Sequence, residues 1–207
     1  MATYNHIWTN TEKSGRTIPT KGLGIFTRSD FKLNEVTDSQ SQAPTSLVGK
    51  IETPSTKIEI LAIWTQPSPR RQMHGTYMQS LADIFDDHSP LLRRRNCIVA
   101  GDFNVSASLS PMDFTGFFLG LKSKFGLVSA FHEANDYSMN EIEMPGTFWM
   151  TREDAKSSFH IDYVLLPEHW KIERAVIGGK DEWVGREVNG SDHAPLIVDF
   201  EWQRDHE

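Results

Sequence analysis

The stretch CIVAGDFNVS, Cys97 to Ser106, joins an uninterrupted apolar run to a glycine, an aspartate and an asparagine. Four apolar side chains in succession predict a strand buried on both faces, as in the interior of an α/β fold. Gly101 ends the run, and Asp102 and Asn104 follow two positions apart. On an extended continuation their side chains would lie on the same side. A rigid strand end is a place where a scaffold can hold polar groups at a fixed position. A plain turn is the competing reading, because Gly, Asp and Asn are all turn formers.

Working outward, KGLGIFTR (Lys21–Arg28), SLVGKI (Ser46–Ile51) and KIEILAIWT (Lys57–Thr65) read as strands of an antiparallel ladder. The polar stretch Thr37–Ser46 between them reads as a loop. MHGTYMQSLADIFDDH (Met73–His88) places Tyr77, Leu81 and Ile84 or Phe85 at helical spacing. MDFTGFFLGLKSKFG (Met112–Gly126) does the same with Phe114, Phe117, Phe118 and Leu121, although its glycines weaken a helix. GTFWMT, HIDYVLLP and APLIVDFEW follow as further strands. Strands come in groups with helices between them, which fits an α/β sandwich better than a strictly alternating doubly wound sheet.

The length of 207 residues suits one filled core, so residues 1–207 are expected to form a single domain. The opening residues hold no apolar run of signal-peptide length, and nowhere do eighteen apolar residues follow one another. A cytoplasmic protein with no membrane segment is the expectation. The lone Cys97 excludes an internal disulfide and reads as a buried hydrophobe. With 21 basic and 28 acidic side chains the net charge is −7, so the global field would repel a polyanion. A phosphate substrate would then need a local basic patch or metal ions.

HIDYVLL places Asp162 on a strand face with Val164 and Leu166. A carboxylate buried there is costly unless something pairs with it. GSDHAPLIVDF supplies Asp192 and His193 just before the final strand, and an aspartate that fixes the tautomer of an imidazole is a recurring hydrolytic device.

GDFN, IDYVLL and SDHAPLIVDF, in this order, resemble the motifs of the endonuclease/exonuclease/phosphatase family, which includes deoxyribonuclease I, exonuclease III and the abasic-site endonucleases. The resemblance runs from about Tyr4 to Phe200. It implies a four-layered α/β/β/α sandwich of two mainly antiparallel sheets flanked by helices. It further implies that Asp102 activates or orients the attacking water, that Asn104 holds a phosphoryl oxygen, and that Asp192 binds a divalent metal, Mg²⁺ or Mn²⁺. His193 would contact the phosphate or act as acid or base, supported by Asp162. The implied partner is a phosphoester, with nucleic acid among the options. Hydrolysis of this kind needs stabilisation of equatorial charge and a positioned water, and hard oxygen ligands suit such ions.

The chain departs from that family at its start, where the expected WN and QE patterns are missing. MATYNHIWTN resembles the segment after the missing glutamate, and the roles do not transfer to Asn5 or Glu12. An N-terminally truncated domain lacking a strand-helix-strand unit is therefore expected, either active in a longer form or a catalytically impaired remnant that binds a partner. Where the family often has a tyrosine, Trp64 or Thr65 stands, with Arg70 and Arg71 just beyond. The run LLRRRN reads as a solvated helix end, GLG at Gly22 as the start of a strand, and His132, His160 and His169 as ordinary histidines.

Overall fold

The computed structural model describes residues 3–10, 22–36, 45–53, 56–67, 75–109, 111–139, 141, 145–150, 158–184 and 191–203. They fall into two compact units, Met1–Gly101 and Asp102–Glu207.

In the first unit, β1 (Tyr4–Asn10) and β2 (Gly22–Arg28) form a two-stranded antiparallel sheet, with Tyr4 opposite Arg28 and Asn10 opposite Gly22. Ile7, Leu23 and Ile25 from one face pack with Leu47 and Ala62. Tyr4, Trp8 and Phe26 on the other face stay exposed. β1 was not expected as a strand, because bulky side chains on both faces hide its alternation. β3 (Lys32–Glu35), β4 (Ser46–Glu52), β5 (Lys57–Trp64) and β6 (Cys97–Asp102) succeed one another in sheet order. β3 with β4 and β4 with β5 are antiparallel, as the ladder predicted for the latter pair, whereas the Lys21–Arg28 strand expected in the same ladder pairs with β1 in a sheet of its own.

The helix α1 spans Gly75–Asp87 and buries Leu81, Ile84 and Phe85. Pro90 opens a separate short helix, α2 (Ser89–Leu92), since proline suits a first turn and not a helix interior. The basic run after it is not simply solvated, because Arg94 donates to Glu59 at 2.7 Å and Glu59 is buried. A buried carboxylate needs such a partner. In β6, Cys97 and Val99 are buried, whereas Ile98 and Ala100 are half-buried, so the expectation of full burial on both faces holds for one face only. Gly101 has φ +141°, and a Cβ there would stand 1.9 Å from the Ile63 carbonyl oxygen. Only glycine fits that junction.

The second unit contains α3 (Pro111–Phe125), β7 (Leu127–Ser129), α4 (Ala130–Asn135), β8 (Phe148–Trp149), β9 (Ser158–Phe159), β10 (Asp162–Pro167), β11 (Lys171–Ile177), α5 (Lys180–Trp183) and β12 (Leu196–Glu201). β7 pairs with β10, β8 with β9 and β11 with β12, all antiparallel. The glycines of α3 meet nothing within 4 Å at Gly116 and Gly120, while Phe114, Phe118, Leu121 and Phe125 are buried on the helix. Burial of that aromatic stripe overrides the weak propensity. Phe103, Phe114, Phe118 and Tyr163 pack as a ring cluster in the core. The His132 ring stacks on Tyr163 and the His160 ring tilts against it, so both of these ordinary histidines belong to the core and not to the surface. β11 escaped the sequence reading because a register shift between Ile172 and Arg174 breaks its two-residue period. No helix among the described residues is long and apolar enough to cross a membrane.

Candidate active site

Every residue of the expected site lies in the second unit. β6 delivers Asp102, and the chain turns immediately, with Asn104 at φ +54°. Asparagine tolerates this left-handed conformation better than most residues. The turn brings Asn104 onto the aspartate: its backbone N–H donates to Asp102 Oδ1 at 2.9 Å, and its Nδ2 donates to Oδ2 at 2.9 Å. The two side chains therefore meet through an Asx-type turn and not through an extended continuation. Phe103 between them is fully buried, and its N–H donates to the Ile161 carbonyl at 2.8 Å, which ties the turn to the residue before Asp162.

Asp162 opens β10, and its Oδ2 lies 2.8 Å from His193 Nδ1. A carboxylate at that distance calls for a proton on Nδ1, which leaves Nε2 to face a substrate. His193 is held by its backbone as well as by this bond. Trp149 N–H donates to the Asp192 carbonyl at 3.0 Å and Ala194 N–H to the Thr147 carbonyl at 2.8 Å, so residues 192–194 run along β8. The Phe148 ring lies 5.0 Å from the imidazole. On the other side of the pair, the buried Thr147 hydroxyl accepts the N–H groups of Ile161 and Asp162, both at 3.1 Å. Thr147 thus fixes the backbone from which Asp162 projects. The sequence reading placed it in a strand and gave it no role, and nothing in GTFWMT singles it out.

The electrostatics of the site follow from this crowding. Burial pushes the Asp102 carboxyl up to about 7, and the charge of Asp162 adds to the rise. The His193 charge and the two Asn104 donors oppose it. Burial alone would pull His193 down, but the Asp162 hydrogen bond and the charges of Asp162, Asp102 and Asp192 outweigh it, so its pKa stands above the ordinary value. A carboxyl brought to about 7 beside an imidazole whose charged form its neighbours favour is suited to proton transfer.

Asp192 is more exposed, with Oδ1 3.9 Å from His193 Nε2. Among the described residues no group of three or more His, Cys, Asp or Glu side chains is placed to hold a metal ion. Asp192 alone is a poor cage for an ion that dehydrates reluctantly, so the described donors do not fit a complete Mg²⁺ or Mn²⁺ site. Trp64 ends β5 and Thr65 is buried, while Asn5 donates to the Phe31 carbonyl within the first unit. Glu12, Arg70 and Arg71 lie outside the described residues.

A profile of the Endonuclease/Exonuclease/phosphatase family matches residues 3–193. No curated protein matches the chain. The 3' phosphatase NExo from Neisseria, solved with a product DNA hairpin, is similar with a TM-score of 0.65 at 14% identity, covering 96% of this chain and 80% of that one. The human Nocturnin catalytic domain gives 0.67 at 17% identity, with 97% and 73% covered. AP endonuclease LMAP from Leishmania major gives 0.66 at 14% identity, with 94% and 69% covered. Likeness at these identities establishes the fold, an α/β sandwich of the nuclease and phosphatase type.

Proposed function

The chain belongs to the endonuclease/exonuclease/phosphatase family, and from that premise we propose that it hydrolyses a phosphodiester of a nucleic acid or nucleotide. The observation that carries the reading is the Asp162–His193 hydrogen bond, with Asp102, pushed up to about 7, under the electrostatic influence of both partners. The ionised Asp102 takes a proton from water as the water oxygen attacks phosphorus. The bond to the leaving oxygen breaks, and protonated His193 stabilises the developing charge or supplies that oxygen with its proton. Asp162 holds the imidazole in place and stabilises its charged form. Asn104, oriented by Asp102, offers an amide N–H to a phosphoryl oxygen. The choice of a nucleic-acid phosphoester is supported by the DNA hairpin bound to NExo. We include in the proposal that both units work as one domain.

No step here passes through a metal ion. The incomplete donor set among the described residues favours one further reading, a chain that keeps the fold with impaired catalysis and acts by binding. A single experiment separates the two. Hydrolysis of a panel of DNA, RNA and nucleotide phosphoesters is measured for the unaltered chain, Asp102→Ala and His193→Ala. Each substitution should cost at least about a hundredfold, the scale of a general acid or base. A rate unchanged by Asp102→Ala on every substrate would defeat the assignment.

A further inference from the structure

The second unit holds a cavity of about 260 Å³ that none of Asp102, Asp162, Asp192 and His193 lines. Local chain geometry builds it. α4 stops at Asn135, Asp136 takes a left-handed conformation with φ +55°, and the chain turns so that the Met139 carbonyl accepts the Thr115 hydroxyl of α3 at 3.1 Å. Phe118, Leu119, Leu127 and Met139 give the cavity apolar walls, and Tyr137 adds a ring. Its floor is fixed in advance: Ser129 and His132, both 1% exposed, are joined by a hydrogen bond of 2.9 Å, and Phe118 packs on Phe114 and Tyr163. A preformed pocket spares a ligand the entropy of ordering it. The rim is charged. Lys122 and Glu133 answer each other at 3.7 Å, whereas Asp136 has no cation within ion-pair distance among the described residues. The uncompensated charge at the rim is therefore negative.

We propose that this cavity binds a small arylalkylamine, a single aromatic ring on a short alkyl chain that ends in an ammonium group. Size, lining and charge each limit the ligand. An apolar cavity of about 150 Å³ takes one benzene ring, so this one has room for a ring and a short chain. The ring enters between Phe118, Leu127 and Met139, whose thioether packs well against aromatic rings. The ammonium stays at the rim beside Asp136, where water still reaches it and little desolvation is required. A carboxylate on the same chain would meet Glu133 and Asp136 against Lys122 alone, and the repulsion would weaken it. A neutral analogue keeps the apolar contacts and loses the attraction.

Amide proton–nitrogen NMR of the full chain tests this, by titration with 2-phenylethylamine, 2-phenylethanol and 3-phenylpropionate. The amine should saturate with a Kd on the order of 1 mM, as its few heavy atoms allow, and should move the amides of Ser129, His132 and Tyr137. The alcohol should bind more weakly and the carboxylate weakest. Asp136→Asn, which suits the left-handed turn, should weaken the amine about two- to fivefold, the scale of an exposed ion pair, and leave the alcohol unchanged. Leu119→Lys, at a position 56% exposed, should weaken the amine further by setting a cation at the rim. The spectrum of each variant also shows that it is folded. No saturable shift at about 20 mM amine, twenty times the expected Kd, shifts that avoid those three amides, a carboxylate that binds as well as the amine, or an amine indifferent to both substitutions would overturn the proposal.

Discussion

Replacing Asp102 with asparagine tests whether this carboxyl holds a proton in the folded chain near neutral pH. Its pKa rises from 3.8 to about 7. Between those values the folded chain keeps a proton that the unfolded chain has released. The folded state binds more protons in that window, so this group makes stability fall as pH rises from about 4 to about 7. At 1.36 kcal/mol per pKa unit, a rise of about three units corresponds to about 4 kcal/mol. Water reaches part of this half-buried side chain, which reduces the expected effect to about 2–3 kcal/mol. The amide introduced by Asp102→Asn would keep an acceptor for the Asn104 backbone N–H but lose the anionic oxygen facing Asn104 Nδ2. That cost is independent of pH, so it displaces the stability curve without changing its slope. His193 contributes in the same direction, since its raised pKa adds stability below its unfolded value that disappears as pH climbs through the folded value. Most of this contribution, supplied by Asp162, is common to both chains. The assay is urea unfolding at a series of pH values from about 4 to about 8. The gap between Asp102→Asn and the unaltered chain should move by about 2–3 kcal/mol in favour of the variant across that range. Parallel curves would show that the carboxyl is ordinary and would remove the basis for the proposal that it acts as a base near neutrality.

Thr147→Val leaves the N–H groups of Ile161 and Asp162 without their acceptor and should cost about 1–3 kcal/mol in thermal or urea unfolding, with Thr147→Ser recovering most of it. The same change should reduce turnover more than substrate affinity, because it loosens the backbone under Asp162. Gly101→Ala drives a methyl against the Ile63 carbonyl and forces the chain out of a positive φ, so unfolding should come at visibly lower urea, by about 1–3 kcal/mol. Isothermal calorimetry with Mg²⁺ should detect weak binding at most. Tight stoichiometric binding lost in Asp192→Ala would reveal donors beyond those described.

Much of the geometry of the candidate site could be read from the sequence, though not always for the right reason. The pairing of Asp162 with His193 follows from the cost of a buried carboxylate, and that argument needs no coordinates. Asp102 and Asn104 do meet, but through a left-handed turn that two-residue periodicity does not foresee. Thr147 stayed hidden because its function is to receive two backbone donors contributed by residues fourteen and fifteen positions later, and one-dimensional patterns carry no trace of such an arrangement. In the fold, the helices stood out by their apolar stripes. β11 did not, because its bulge spoils the alternation, and Arg94 looked solvated because nothing in the arginine run points to Glu59, 35 residues earlier.

The Asx turn at Asp102 also bears on the order in which the site assembles. Its hydrogen bonds span two residues of sequence, so they form as soon as the local chain adopts its shape. The bond between Asp162 and His193 closes 31 residues and waits for that longer loop to be drawn together. In partial opening of the second unit the imidazole should part from its aspartate while the turn persists. Mild denaturant should then silence the chemistry before the aromatic core around Phe103 gives way, and hydrolysis would report the earliest stage of unfolding.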